Sequence, residues 1–212
     1  MKLLSVNVSL PREVVWKGRT VTTGIFKEPV EGAVRLRTLN LDGDRQADLS
    51  VHGGPDKAVY AYPSEHYAYW REVLPDAELP WGMFGENFTT EGLLEDQINI
   101  GDRFRIGSAL VMVTQPRMPC YKLGVKFGRD DILKLFLQSR RSGFYFSVLE
   151  EGDVAAGDSI ESASRDSAAI SVAEITSLYV DEEPDLRLMR RAMQVEALPV
   201  SWRKYFSKQL GQ

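Results

Sequence analysis

Residues 84–114 run FGENFTTEGLLEDQINIGDRFRIGSALVMVT, a succession of short apolar stretches broken by glycines and polar turns. Short strands are expected around 84–89, 97–100, 103–106 and 110–114, at spacings suited to a barrel or a sandwich. Upstream, residues 2–9 alternate well enough for a strand, and 20–23 and 33–37 are further candidates. Residues 57–62 read as a strand that Pro63 ends. Ser64 to Leu74 then reads as a helix, with Ser64 as N-cap and Pro75 closing it. Downstream, 131–140 carries a helical apolar stripe with Gly143 just beyond it, and 144–149 returns to strand.

After about residue 162 the character changes. Ser171-Val172-Ala173-Glu174 is a capping box, in which serine and glutamate satisfy free amides at a helix start. Helical stretches at 185–195 and 201–210 follow, separated by Pro199. The expectation is a mainly β fold: a closed or nearly closed β domain with a few helices over residues 1–163, then a small three-helix domain over 164–212.

The 212 residues hold one cysteine, two histidines and a formal net charge of −4. One cysteine makes no internal disulfide, and the N-terminus lacks the apolar core of a signal peptide. No apolar run reaches the ~18 residues of a membrane span. A cytoplasmic protein that binds neither membrane nor nucleic acid is therefore expected. Charge is unevenly spread: between Arg117 and Arg141 lie seven basic residues and two acids. That segment reads either as a solvated basic face or as an attractor for an anion.

The glycine-rich nucleotide fingerprints, the zinc-protease helix motif, C-x-x-C and the serine-hydrolase elbow are all missing. Four-cysteine iron–sulfur ligation is excluded outright. There remains Cys120, within Gln115-Pro116-Arg117-Met118-Pro119-Cys120-Tyr121-Lys122-Leu123. Two prolines fix the backbone into a rigid turn past a strand, and Arg117 and Lys122 favour a thiolate. The plainer reading is a small buried hydrophobe. Asp42-Gly43-Asp44-Arg45-Gln46 and His52-Gly53-Gly54-Pro55-Asp56-Lys57 read either as tight turns or as a phosphate cradle with Arg45 and Lys57. Phe84-Gly85-Glu86-Asn87 offers polar groups at a strand edge or an exposed turn, and His66 reads as a packing residue.

Five stretches in order carry a resemblance: Leu-Asp-Gly-Asp-Arg-Gln at 41–46, His-Gly-Gly-Pro-Asp-Lys-Ala-Val-Tyr at 52–60, Phe-Gly-Glu-Asn at 84–87, Ile-Gly-Asp at 100–102, and the cysteine segment at 115–123. Together they resemble the MOSC domain family, in its YiiM-like branch with a C-terminal three-helix domain. The resemblance implies a β-barrel fold and a molybdenum cofactor of the molybdopterin type, its metal ligated by Cys120. Arg45, His52, Lys57, Asn87 and Arg117 are then the residues expected to line the cofactor, and no pyridoxal phosphate is expected. It also implies reduction of N-hydroxylated compounds, such as N-hydroxylaminopurines, to amines. The rivals are a persulfide carrier working through Cys120 and a non-catalytic cofactor-binding protein. With no cluster-forming cysteines and no dinucleotide fingerprint, electrons are expected from a separate flavoprotein-type reductase.

Overall fold

The alternating stretch at the N-terminus forms β1 (Lys2–Val8) in a computed structural model of the chain, which describes residues 1–47 and 53–211. A hairpin of β2 (Arg12–Trp16) and β3 (Arg19–Thr23) follows, turning through Lys17 and Gly18. Both turn residues have positive φ, which matches the right-handed twist of paired strands. Then come β4 (Glu28–Pro29), β5 (Val34–Leu36) and β6 (Val59–Pro63), followed by α1 (Glu65–Val73) and β7 (Phe88–Glu91). Next are β8 (Arg103–Ile106), β9 (Ala109–Pro116), α2 (Tyr121–Phe127) and α3 (Ile132–Ser139). The last strands are β10 (Phe144–Glu150), β11 (Gly152–Val154), which pairs with β5 in a separate two-stranded sheet, and β12 (Ile160–Ser164). The chain ends in α4 (Val172–Val180), α5 (Leu186–Ala192) and α6 (Val200–Gln209).

Eight strands pair in the order β12-β8-β9-β10-β6-β7-β1-β4, antiparallel except for β6 against β7. Among the described residues no ladder closes this sheet into a barrel. A single bridge, Lys2 with Ser159, and backbone bonds from Leu3 N to Asp158 O (2.9 Å) and from Ile160 N to Met1 O (2.9 Å) span the gap. The expectation of a nearly closed β domain therefore holds, through a seam rather than a full pairing.

Local sequence explains the strands that pack. In β8, Phe104 and Ile106 are buried while Arg103 and Arg105 face out, the period of two that a half-buried strand requires. One continuous apolar cluster runs from Leu3, Phe104 and Phe146 in the sheet to Ile175, Met189 and Phe206 in α4–α6. A second, aromatic cluster joins Tyr62, Trp70, Phe84 and Phe136 beneath α1 and α3. The capping box is present: Ser171 Oγ accepts from Glu174 N at 3.1 Å, and Glu174 accepts from Ser171 N at 2.7 Å.

Several expectations are corrected. Residues 97–100 are not a strand, because the buried Asp102 carboxylate accepts from Asn99 N (2.9 Å) and organises a turn around Gly101. Only Asn99 bridges across, to Ser171. The strand expected over 84–89 begins at Phe88. Ser64 occupies the N-cap of α1 in helical backbone without a side-chain cap bond. Among the described residues no helix is long and apolar enough to cross a membrane.

Candidate functional site

After β9 the chain turns through Arg117, Met118 and Pro119, and Cys120 becomes the N-cap of α2 in extended backbone. The rigid turn expected at the cysteine is thus the entry to a helix, and the thiol is half-buried. This segment lines a cleft of about 680 Å³, measured to its open mouth. Arg45, Lys57, Asn87, Arg117 and Cys120 all line the cleft, although they are spread over 76 positions of sequence. His52 lies outside the described residues.

The electrostatics of the cleft are one-sided. Lys27, Arg45, Lys57, Arg117 and Lys122 contribute to its lining, and no acid does among the described residues. Lys27 is partly balanced from behind by Asp44, which it contacts directly and which also accepts from Ser9 N at 2.8 Å. Burial, opposed by that carboxylate, holds the Lys27 ammonium below its usual range. Arg117 is 5% exposed, and its guanidinium lies 4.9 Å from the Tyr60 ring centroid and 5.2 Å from that of Phe136. Its Nη1 is buried with no hydrogen-bond partner. Leaving a charged donor nitrogen unsatisfied costs free energy, so such a group marks a place where an anion binds favourably.

Asn87 has a different part. Its Nδ2 donates to Asn7 O (3.2 Å) and Asp44 Oδ2 (3.0 Å), and its Oδ1 accepts from Tyr60 N (3.2 Å). Both amide hydrogens are spent on bracing the wall that carries Tyr60. Glu86 is fully buried rather than exposed. It accepts from Gly82 N (2.8 Å), Phe84 N (3.0 Å), Thr89 Oγ1 (3.1 Å) and the Tyr67 hydroxyl. Burial raises its carboxyl above the usual range, and the knot it ties fixes the loop before Asn87.

Sequence reasoning missed the support behind Arg117. His66 Nε2 meets Glu95 Oε2 at 2.7 Å, and Glu95 Oε1 accepts from Gly143 N at 2.7 Å. Gly143 O in turn accepts from Arg117 N at 3.2 Å. His66 is thus more than a packing residue: it anchors the carboxylate that positions the strand entry facing Arg117. Lys27 was also missed, since its neighbours carry no motif.

A second groove, about 820 Å³ when the open space at its mouth is included, adjoins the cleft and shares Lys57, Met118, Cys120 and Tyr145 with it. Its far side is built by Tyr179 of α4 and by Ser201, Trp202 and Tyr205 of α6.

The fold and this cleft define a sheet protein with a basic, anion-attracting cavity and a thiol at its edge. The chain belongs to the MOSC domain family, which matches residues 48–161, and a YiiM-like 3-alpha helix domain matches 170–212. It is 44% identical to uncharacterized protein YflK of Bacillus subtilis, over 97% of this chain and 93% of that one. A Gibberella moniliformis protein named reductase is 32% identical over 84% of this chain, which corresponds to 32% of that longer protein. The crystal structure of YiiM from Geobacillus stearothermophilus superposes with a TM-score of 0.83 at 38% identity, covering 99% of this chain and 98% of that one.

Proposed function

We propose that this chain is a molybdenum-cofactor oxidoreductase that reduces N-hydroxylated compounds, such as N-hydroxylaminopurines, to amines. The observation that carries the reading is a cleft of five basic side chains and, among the described residues, no lining acid, with the only cysteine at its edge. The residues fit such a group. A phosphate-bearing cofactor needs buried cationic donors, and Arg117 Nη1 is a buried donor without a partner. Among the described residues, no three His, Cys, Asp or Glu side chains cluster to cage a metal by themselves. A metal at Cys120 would therefore bring most of its ligands with it, and a thiolate is a suitably soft donor for one that does.

In this reading Cys120 ligates the metal, while Arg45, Lys57 and Arg117 hold the anionic part of the cofactor. Lys122, on the first turn of α2, adds positive charge beside the thiol. The cofactor, when bound, supplies the two-electron chemistry. The balance is R–NHOH plus two electrons and two protons giving R–NH2 and water: the N–O bond breaks and an N–H bond forms. The protein orients the substrate and restricts water. The electrons come from a separate flavoprotein-type reductase, since one cysteine holds no four-cysteine cluster. The fungal relative named reductase is in keeping with this activity.

The test uses full-length protein from cells that make the cofactor. It should reduce an aryl N-hydroxylamine with a chemical reductant, and show negligible turnover with a nicotinamide alone. Cys120→Ala should lose activity by a factor of about 10³ or more while keeping its unfolding midpoint. A folded Cys120→Ala protein with full activity would remove the thiol from the chemistry.

A further inference from the structure

We propose that the exposed faces of α5 and α6 form the docking surface for the electron donor, and that the donor meets them with an acidic protein face. The inference rests on the reductase reading and deepens it by placing the partner. Residues 186–212 hold six basic side chains, Arg187, Arg190, Arg191, Arg203, Lys204 and Lys208, against one acid, Glu196, in a chain of net charge −4. Arg203 is half-buried and the other five are exposed. Among the described residues none of the six makes an ion pair. Asp185, at the N-cap of α5, spends Oδ1 on Arg187 N (2.7 Å) and Leu188 N (3.1 Å). The basic stretch after Cys120 is already engaged. Lys122 is buried, Arg129 and Arg140 pair with Asp131 and Asp181, and Lys126 and Arg141 lie over the rings of Phe26 (5.0 Å) and Tyr69 (4.0 Å). A net-negative chain whose densest run of unpaired cations lies on one pair of helices steers an acidic protein to that place.

Helical spacing sets these charges in rows. Val200, Lys204 and Lys208 lie four apart on α6, as do Arg187 and Arg191 on α5, and the two helices pack together. Each face also carries an exposed apolar side chain, Leu186 (48% exposed) on α5 and Val200 (53%) on α6. Apolar anchors among arginines and lysines suit a protein partner better than a phosphate backbone. At 1.5 Å per residue the helices are roughly 10 and 15 Å long, a size in keeping with the small, transient contacts of electron-transfer partners. The surface is tied to the thiol by one rigid path. Trp202 Nε1, on the buried face of α6, donates to Gln115 Oε1 at 2.7 Å, and Gln115 lies in β9 five residues before Cys120. A donor seated on α6 stands roughly one helix diameter, ~10 Å, from the groove that reaches Cys120. Per turnover the donor's reduced flavin is oxidised by two electrons, two protons enter from solvent, and the N–O bond takes up both to give amine and water.

The test compares two triple variants of the full chain, matched to wild type for unfolding midpoint. One is Arg190→Glu/Lys204→Glu/Lys208→Glu. The other, Arg19→Glu/Arg71→Glu/Lys134→Glu, makes the same charge change at exposed positions of β3, α1 and α3. The probe is a flavodoxin, an acidic flavin mononucleotide protein, whose binding is followed by calorimetry at about 20 mM salt and which then serves as electron source for cofactor-loaded protein. The helix triple should weaken flavodoxin binding and flavodoxin-driven turnover roughly tenfold or more and remove most of their salt dependence. The other triple should weaken them by less than about threefold. Turnover with a chemical reductant should change by less than about twofold in both. Equal weakening by the two triples, or no flavodoxin binding to wild type, would overturn the surface. Tighter binding of a DNA duplex than of flavodoxin, lost in the helix triple, would overturn the acidic protein as its occupant. Flavodoxin binding lost only in the helix triple, with no turnover by loaded wild-type protein under a chemical reductant, would uphold the surface and overturn the reductase reading.

Discussion

At Gly143 the demand on a single residue is severe. Its φ is +60°, and a Cβ there would lie 2.5 Å from Ala61 O and 2.8 Å from atoms of both the Tyr60 and Tyr62 rings. Backbone and buried rings give little, so Gly143→Ala should destabilise the protein by about 3 kcal/mol or more. Gly128 has a similar φ of +66°, but nothing lies within 4 Å of its would-be Cβ. Gly128→Ala should then cost only the left-handed strain, about 1 kcal/mol. Urea unfolding of the two variants separates crowding from backbone strain, and equal losses would contradict the crowding at Gly143. Because Gly143 O receives Arg117 N, the Gly143 variant should also weaken anion binding in the cleft. Arg117 and Cys120 were legible in the sequence because two prolines and flanking cations mark them. Lys27 and the His66–Glu95 pair were not, since their meaning comes from partners brought together only by folding.

Among the elements, β6 and α1 carry the densest group of buried tyrosines. Burial pushes the Tyr60, Tyr62 and Tyr67 hydroxyls well above the ordinary value of 10.0. The folded protein keeps these protons at a pH where the unfolded chain releases them. Their stabilising contribution is therefore complete below pH 10.0 and is lost as pH rises beyond it. Each group adds a slope of about 1.4 kcal/mol per pH unit. Lys27 and Lys126, whose folded values burial lowers, act oppositely up to their ordinary value of 10.5, but they are two groups against four, since burial raises Tyr145 as well. The urea midpoint should fall steeply between about pH 10 and pH 11, and a flat midpoint would mean that the tyrosines ionise in the folded state. Element by element, β8 and β9 were legible because alternation and burial coincide there. The helix α2 was not, because it is only seven residues long, follows Pro119, and contains Gly124. A Cβ at Gly124 would stand 3.1 Å from Arg129 O, so packing against the next turn of chain overrides the residue's poor helix propensity. The turn at 97–102 misled for the opposite reason: its apolar residues are buried, but a carboxylate rather than a neighbouring strand satisfies Asn99 N.

Across the whole molecule, charge is sorted by place rather than by depth: Asp44, Glu86, Glu95 and Asp102 are buried, yet none of them lines the cleft. The net charge is −4, yet every charged residue in the cleft lining is basic among the described residues. The seven basic residues from Arg117 to Arg141 do not form one face. Arg117 and Lys122 are buried at the cleft, Arg129 is paired with Asp131 at 2.6 Å, and Arg140 contacts Asp181 of the segment after α4. The start of that segment lines the cavity, and its other basic residues are exposed or half-buried. The helical C-terminal segment shares the sheet's apolar core and places its aromatic residues beside Cys120. The central claim is that the cleft holds a molybdenum cofactor through Cys120. It is tested most directly by molybdenum and pterin content per chain, in wild-type and Cys120→Ala protein purified from cofactor-making cells and matched for unfolding midpoint. The account predicts about one molybdenum with its pterin per wild-type chain, and a small fraction of that in Cys120→Ala. Wild-type chains carrying sulfane sulfur but no molybdenum, or a Cys120→Ala protein that keeps full molybdenum, would contradict it.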